Sequence, residues 1–307
     1  MRTVCRNPAV SLLYWAALFA AMFLLFERFA PDAAEAFSDE SLVLTVLTED
    51  GPVTMSMAEY LPGAVAAEMP VSFGPEALKA QAVAARTYVL ASRRHSDGDI
   101  CTDSGCCIAW LSPEERRALW GADYPACLRS VTEAVTATDG QYLTYGGEAI
   151  QAVFHASSAG ATEDSAAIWA PQPYLVSVES PETAETVPGL ISTASFSPGE
   201  LRTLLGLETD EPPETWSPLT EPDNAGRVKT LHIGGRSLTG AYVRSALGLR
   251  STDFSVSYAD GAFVFTVAGY GHGVGMSQYG AMLLAGQGWS YDRILEHYYP
   301  GTVLEVL

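Results

Sequence analysis

The 307-residue sequence predicts an α+β fold: a β-rich mixed domain with several helices, preceded by one N-terminal transmembrane helix. Three observations lead there. Apolar residues at helical spacing, such as Leu78, Ala82, Ala85 and Val89, are bracketed by prolines where helices start and stop. Short alternating or β-branched runs recur through the middle and the C-terminal part, at residues 142–145, 228–233 and 254–267. Residues 9–26 form an uncharged run of 18, at the short end of what spans a bilayer core of about 30 Å.

Arg2 and Arg6 precede that run, and Asp32, Glu35, Asp39 and Glu40 follow it. The positive-inside rule then leaves the N-terminus in the cytoplasm and residues 37–307 outside, with 1–36 as stub, anchor and spacer. A cleaved signal peptide is the alternative, since Ala34-Glu35-Ala36 offers small residues at a cleavage point. Against it, the run exceeds the roughly 7 to 15 apolar residues of a signal core. Both routes export the domain.

Residues 41–47 read as a strand, turned by Gly51-Pro52 into a second near 53–57. A short helix over 62–67 follows, and Pro70 ends it by disfavouring the α conformation at Met69. Glu68 therefore sits at the negative end of a helix dipole, which raises a carboxyl pKa. Pro75 opens the next helix, with Glu76 in its first turn, Arg93 and Arg94 at its end, and Arg86 at the margin of its buried stripe. Strands are expected at 142–145, 150–154 and 174–178. Residues 208–223, acidic and carrying four prolines, read as an exposed loop. A helix beginning after Ser290 and a last strand at 302–307 close the chain.

A formal charge of −19 excludes nucleic acid as a partner, because binding it needs a basic surface that displaces counterions. His95, Cys101, Cys106 and Cys107 fall within 13 residues and have the density of a zinc site. An exported domain also permits disulfides, with Cys127 as the bridging partner. Residues 269–281, Gly-Tyr-Gly-His-Gly-Val-Gly-Met-Ser-Gln-Tyr-Gly-Ala, set glycines around His272 ahead of a helix that places His272 and Gln278 at or near its N-terminus. Such glycines let backbone approach backbone or a ligand.

This last stretch resembles the stage II sporulation protein D family. So do Glu68-Met69-Pro70, the block 77–88, and Phe154-His155-Ala156-Ser157-Ser158-Ala159-Gly160 followed by Trp169 and Pro173-Tyr174-Leu175, all in the family's order. The resemblance runs from about Leu42 to the C-terminus. It implies a peptidoglycan lytic transglycosylase that cuts between N-acetylmuramic acid and N-acetylglucosamine and leaves 1,6-anhydro ends. The setting it implies is engulfment during sporulation, beside a cell-wall amidase and a membrane partner. Glu68 matches the family's catalytic glutamate. Arg86, His155, Ser157, Ser158, His272, Gln278 and Tyr279 match groove residues. His95, Cys101 and Cys107 match three ligands of a structural zinc, and Cys106 stands where the family has a second histidine. Some relatives are amidase enhancers, so a non-enzymatic glycan-binding activator is the alternative. In so acidic a chain, glycan recognition would depend on local stacking and hydrogen bonds from its 14 Tyr and 6 Trp.

Overall fold

The computed structural model describes residues 38–92 and 95–307. The apolar run at 9–26, and with it the expected membrane anchor, lies outside the described residues, as do Arg93 and Arg94. Among the described residues no helix is long and apolar enough to cross a membrane. Within Ser38–Leu307, which forms one compact unit, two apolar cores account for the α+β architecture.

The first core begins with the hairpin β1 (Val43–Thr48) and β2 (Gly51–Ser56), joined on its other edge by the two-residue β3 (Ile100–Cys101) in the order β2-β1-β3. Helix α1 (Met57–Glu68) starts earlier than its apolar pattern suggests, because Ser56 and Glu59 form a reciprocal capping box. Pro62 thus lies inside the helix rather than in its first turn, and gives up one backbone hydrogen bond there. The helix stops at Glu68 because Met69, before Pro70, is extended (φ −134°, ψ 125°).

Helix α2 (Pro75–Ala91) is buried on nearly every side, not along a slim stripe, and Ala77, Ala80, Ala82, Ala84 and Ala85 let its neighbours close in. Those neighbours include α4 (Tyr124–Ala137), which follows α3 (Pro113–Trp120), and strand β4 (Gln141–Tyr145) of the sheet that continues with β5 (Glu148–Ala149). Of the expected strand at 150–154 only its end survives, in β6 (Phe154–His155), and 174–178 is irregular.

The second core is built by residues 190–268. Strands β7 (Ile191–Phe196), β11 (Asp253–Ala259) and β12 (Ala262–Ala268) pair in the order β11-β12-β7. Strands β8 (Leu219–Pro222), β9 (Val228–Ile233) and β10 (Arg236–Thr239) pair as β10-β9-β8. Helices α5 (Pro198–Leu205) and α6 (Gly240–Leu247) complete it, around Leu201, Leu231, Val243, Phe263 and Phe265. The acidic stretch 208–223 is not wholly an exposed loop. It contains β8, and it is pinned by Trp216, which is 4% exposed and stacks on Phe263 at 5.1 Å. The chain enters and leaves this lobe side by side, with the Gly269 N–H donating to Leu190 O at 2.8 Å.

The remaining chain returns to the first core as β13 (Met276–Ser277), α7 (Gln278–Gly286), α8 (Tyr291–Tyr298) and β14 (Val303–Val306), the last paired with β4. The parallel pair β13 and β6 aligns Met276 with Phe154 and Ser277 with His155. Gly275 makes that contact possible: at φ +72°, a Cβ there would lie 2.1 Å from Val153 O.

Candidate active site and metal-ligand cluster

Glu68, the last residue of α1, points into a cavity of about 720 Å³. One carboxylate oxygen accepts the Ala109 N–H at 3.1 Å, and the other lies 3.5 Å from Gln278 Nε2, which also faces Gln81 Oε1 at 3.4 Å. Burial raises the Glu68 pKa above the ordinary carboxyl value, and these two hydrogen bonds oppose it only in part. Desolvation against such neighbours as Met69, which is 1% exposed, is thus the larger cause. Among the described residues Glu68 is the only carboxylate lining this cavity.

The opposite wall carries two imidazoles whose rings lie 5.7 Å apart. His155 is buried; Nε2 meets Ser158 Oγ at 2.7 Å and Nδ1 meets Val274 O at 3.2 Å. Burial holds it well below the ordinary histidine range, and the charges of His272 and Arg227 push the same way. His272 is lowered to about 4, by burial first and then by Arg244. Its Nδ1 accepts the Val274 N–H at 3.1 Å, which leaves the proton of the neutral ring on Nε2. His272 is not at the helix N-terminus: α7 starts at Gln278, six residues on, and the intervening glycines fold the loop back across β6. Trp169 and Tyr270, 46% and 54% exposed, flank His272, and the Trp169 ring is 5.1 Å from the imidazole.

His95, Cys101, Cys106 and Cys107 each present one ligand atom, all within 4.8 Å of one another. The His95 Nε2 to Cys107 Sγ distance is 3.3 Å, His95 Nε2 to Cys106 Sγ is 3.7 Å, and the Cys106 and Cys107 sulfurs are 3.9 Å apart. A disulfide holds its sulfurs about 2.05 Å apart, so these thiols are not bonded. Cys127 lies on α4 and is not part of the cluster. The donor set can hold a metal ion: three soft thiols and one imidazole, half-buried and mutually close. Cys106 and Cys107 also line the Glu68 cavity. Two residues on, Ala109 bonds Glu68, and Trp110 Nε1 donates to Tyr60 O at 3.0 Å across Gly63, where a Cβ would lie 2.3 Å from that nitrogen.

Of the groove residues implied by sequence, His155, His272 and Gln278 share the cavity with Glu68, and four others do not. Arg86 is fully buried elsewhere: it forms a bidentate ion pair with Asp39 (2.6 and 2.5 Å) and donates to Gln141 O at 2.9 Å. That pair ties the start of the domain to α2 and β4, and no face of Arg86 is open to a ligand. Ser157 pairs by backbone with Tyr270, while Ser158 is buried between His155 and Arg227. Tyr279 packs on Phe73 at 4.7 Å. These three support the cavity from behind.

Sequence reasoning misses the buried polar groups on which the histidine wall rests. Arg227, from the second lobe, passes beneath Gly273 and reaches Glu163 at 3.6 Å and Ser158 Oγ at 3.2 Å. Glu182 accepts the Ser158 N–H at 3.0 Å and the Ser277 hydroxyl, so one carboxylate joins the loops bearing His155 and Gln278. No local motif announces either group, since their partners are remote in sequence.

The family profile described as "SpoIID: Stage II sporulation protein" matches residues 52–145. Stage II sporulation protein D of Bacillus amyloliquefaciens is 40% identical over 253 residues, which cover 80% of this chain and 73% of that protein. Its namesake in Bacillus subtilis (strain 168) is 38% identical over the same shares. The "Amidase enhancer" of Bacillus subtilis (strain 168) is 30% identical over 302 residues, covering 80% of this chain and 40% of that protein. This chain belongs to the stage II sporulation protein D family.

Proposed function

We propose that the chain is a peptidoglycan lytic transglycosylase acting through Glu68. The observation that carries this reading is the single half-buried carboxylate, raised in pKa, in an open cavity with exposed aromatic rings at its rim. Hydrolytic glycosidases ordinarily need a second carboxylate to activate water or to form a covalent intermediate. Here one group serves twice. Protonated Glu68 gives its proton to the glycosidic oxygen as the bond to C1 of N-acetylmuramic acid breaks. The resulting carboxylate then removes the proton of that sugar's own C6 hydroxyl as the oxygen closes on C1. The product is a 1,6-anhydro ring, Glu68 is protonated again, and no water is consumed.

The neighbours suit both halves of the cycle. Ala109 N–H and Gln278 hold the carboxylate oxygens in place and steady the anion formed after the first transfer. His272, kept neutral, is fixed by the Val274 N–H on Nδ1 and by the Phe154 backbone, so its ring offers an uncharged face beside Trp169 at the cavity wall. Trp169 and Tyr270 offer faces on which pyranose rings can stack.

The cluster of His95, Cys101, Cys106 and Cys107 fits a structural zinc. With zinc bonds of about 2.0 to 2.3 Å, a tetrahedron sets its ligand atoms roughly 3.5 to 3.8 Å apart, close to the separations seen here. Four protein ligands leave no position for water, so zinc would cross-link the loop that supplies Ala109. We further propose that residues 9–26 anchor the protein in a membrane, with the domain outside the cytoplasm facing the wall between the membranes of the sporulating cell. Its partners there would be glycan strands, a cell-wall amidase and a membrane protein of the engulfment machinery.

The relative named "Amidase enhancer" favours a second reading, in which the same cavity grips glycan and activates an amidase without cleavage. Glu68→Gln separates the two. If glycan cleavage is lost while binding of strands persists, the carboxyl is the acid and base. If the wild type cleaves nothing, yet both proteins bind strands and stimulate an amidase equally, the second reading replaces the first.

A further inference from the structure

A second cavity, of about 920 Å³, opens between the two lobes and shares Tyr270 and His272 with the Glu68 cavity. The two cavities therefore adjoin at Tyr270 and His272, which gives a polymer bound at Glu68 a place to extend. The walls of this second cavity are unusual for so acidic a chain. Arg244, Lys229 and Arg250 line it, although the whole sequence holds only 17 Lys and Arg against 36 Asp and Glu.

Its carboxylates are already engaged. Glu163 is ion-paired with Arg227, Asp164 accepts the Ala166 N–H at 2.8 Å, and Asp223 accepts the amides of Ala225 and Arg227. The cations are freer. Arg250 is held by Gly189 O at 3.2 Å and lies 5.4 Å from the centre of the Tyr270 ring. Arg244, half-buried on α6, makes no side-chain hydrogen bond or ion pair among the described residues, and neither does Lys229. A half-buried guanidinium without a partner loses part of its hydration and gains nothing in return. Its flat donor fork matches a carboxylate in a bidentate pair.

We propose that this inter-lobe cavity is an anion subsite in which Arg244, assisted by Lys229, binds a carboxylate carried by the glycan strand beyond the sugar at Glu68. The inference rests on the glycan reading above. In that polymer a carboxylate has two sources: the lactyl ether of muramic acid when it bears no peptide, and the side chains and terminus of an attached peptide. The site selects the charge, and the source is decided by experiment.

The test measures binding of three muramic-acid oligosaccharides to the full-length chain in detergent by titration calorimetry. One carries free lactyl carboxylates, one has them reduced to alcohols, and one bears peptides. The wild type is expected to bind a carboxylate-bearing ligand roughly ten-fold more tightly than the reduced one, as one charge-assisted pair allows. Arg244→Gln is expected to erase that preference while leaving affinity for the reduced ligand unchanged, and Lys229→Gln to weaken it. Whichever carboxylate ligand shows the preference identifies the source. Equal wild-type affinity for all three would overturn the subsite and leave the glycan reading intact, as would a uniform loss in Arg244→Gln. Failure of the wild type to bind any of the three would overturn the glycan reading itself, and the subsite with it.

Discussion

The Ala109 amide hydrogen-bonds Glu68 Oε1 at 3.1 Å, which ties the loop of the Cys-His cluster to the last residue of α1. Ala109 stands only two residues after Cys107. Order in the cluster is therefore order at the carboxylate.

If the cluster holds the proposed zinc, its loss should consequently act on both. Burial pushes the Cys107 thiol up to about 12, so a bound cation would have to displace its proton. Cys107→Ala should lower zinc affinity by more than the roughly 10- to 100-fold that removal of an outer-shell partner costs. It should also reduce glycan cleavage and lower the melting temperature. Metal analysis beside thermal unfolding checks this; full zinc content in the variant would refute the assignment of Cys107 as a ligand.

The titrating groups of the cavity act in opposite directions with pH. His272 is lowered from 6.5 to about 4, so the unfolded chain takes up a proton in that window that the folded one refuses. Stability should fall as pH drops from 6.5 toward 4, and His272→Asn should flatten that part of the curve. Glu68 is raised, so the folded chain keeps a proton that the unfolded one loses above the ordinary carboxyl value of 4.5. Its contribution falls as pH rises, and the acid-dependent rate should fall above its raised pKa. Urea midpoints measured across pH 4 to 8, with a kcat/KM profile over the same range, read both signs.

Arg86 tests a structural role against a catalytic one. Its ion pair with Asp39 is 0% and 2% exposed, and breaking such a pair costs about 3–5 kcal/mol because one buried charge is left alone. Arg86→Met should therefore unfold at markedly lower denaturant, and Arg86→Met with Asp39→Leu should recover much of the loss. Folded double variant that retains glycan cleavage would bear out the structural role, whereas a stable but inactive one would return Arg86 to the groove.

Gly275→Ala should be among the most damaging single-methyl additions. The new Cβ would lie 2.1 Å from Val153 O at φ +72°, where only glycine is at ease. Parting β6 from β13 would displace His155 and Gln278 together, at a cost of at least about 3 kcal/mol. Gly286→Ala, with open space around the added carbon, is the matched control. Denaturant unfolding of the two variants gives the comparison.

The parts of the fold legible in sequence are those governed by local chemistry. Pro70 stops α1, Pro75 starts α2, and alternation marks β9, β11 and β12, because each signal lies within a few residues of its effect. The capping boxes Ser112/Glu115 and Ser197/Glu200, each with proline at the next position, announce α3 and α5 as plainly, although neither helix has a long apolar period. Arg86 shows the limit. Its position on the helix says nothing of Asp39, 47 residues away, whose carboxylate turns a marginal arginine into a core one.

The site divides the same way. The clustering of His95, Cys101, Cys106 and Cys107 is legible because their spacing is local and Glu68 stands out through the family resemblance, whereas Arg227 beneath Gly273 and Glu182 between Ser158 and Ser277 come together only when the second lobe and α7 are folded against β6. Polar residues whose partners lie so far off leave no periodicity to read.

The central claim is that Glu68 closes an anhydro ring without using water, and mass spectrometry of products formed in ¹⁸O-labelled water tests it most directly. Full-length protein and its Glu68→Gln variant would be incubated with intact and peptide-stripped glycan strands. Anhydro-muramic ends free of ¹⁸O, absent with the variant, are the predicted result; reducing ends that carry ¹⁸O, or cleavage that survives Glu68→Gln, would contradict it.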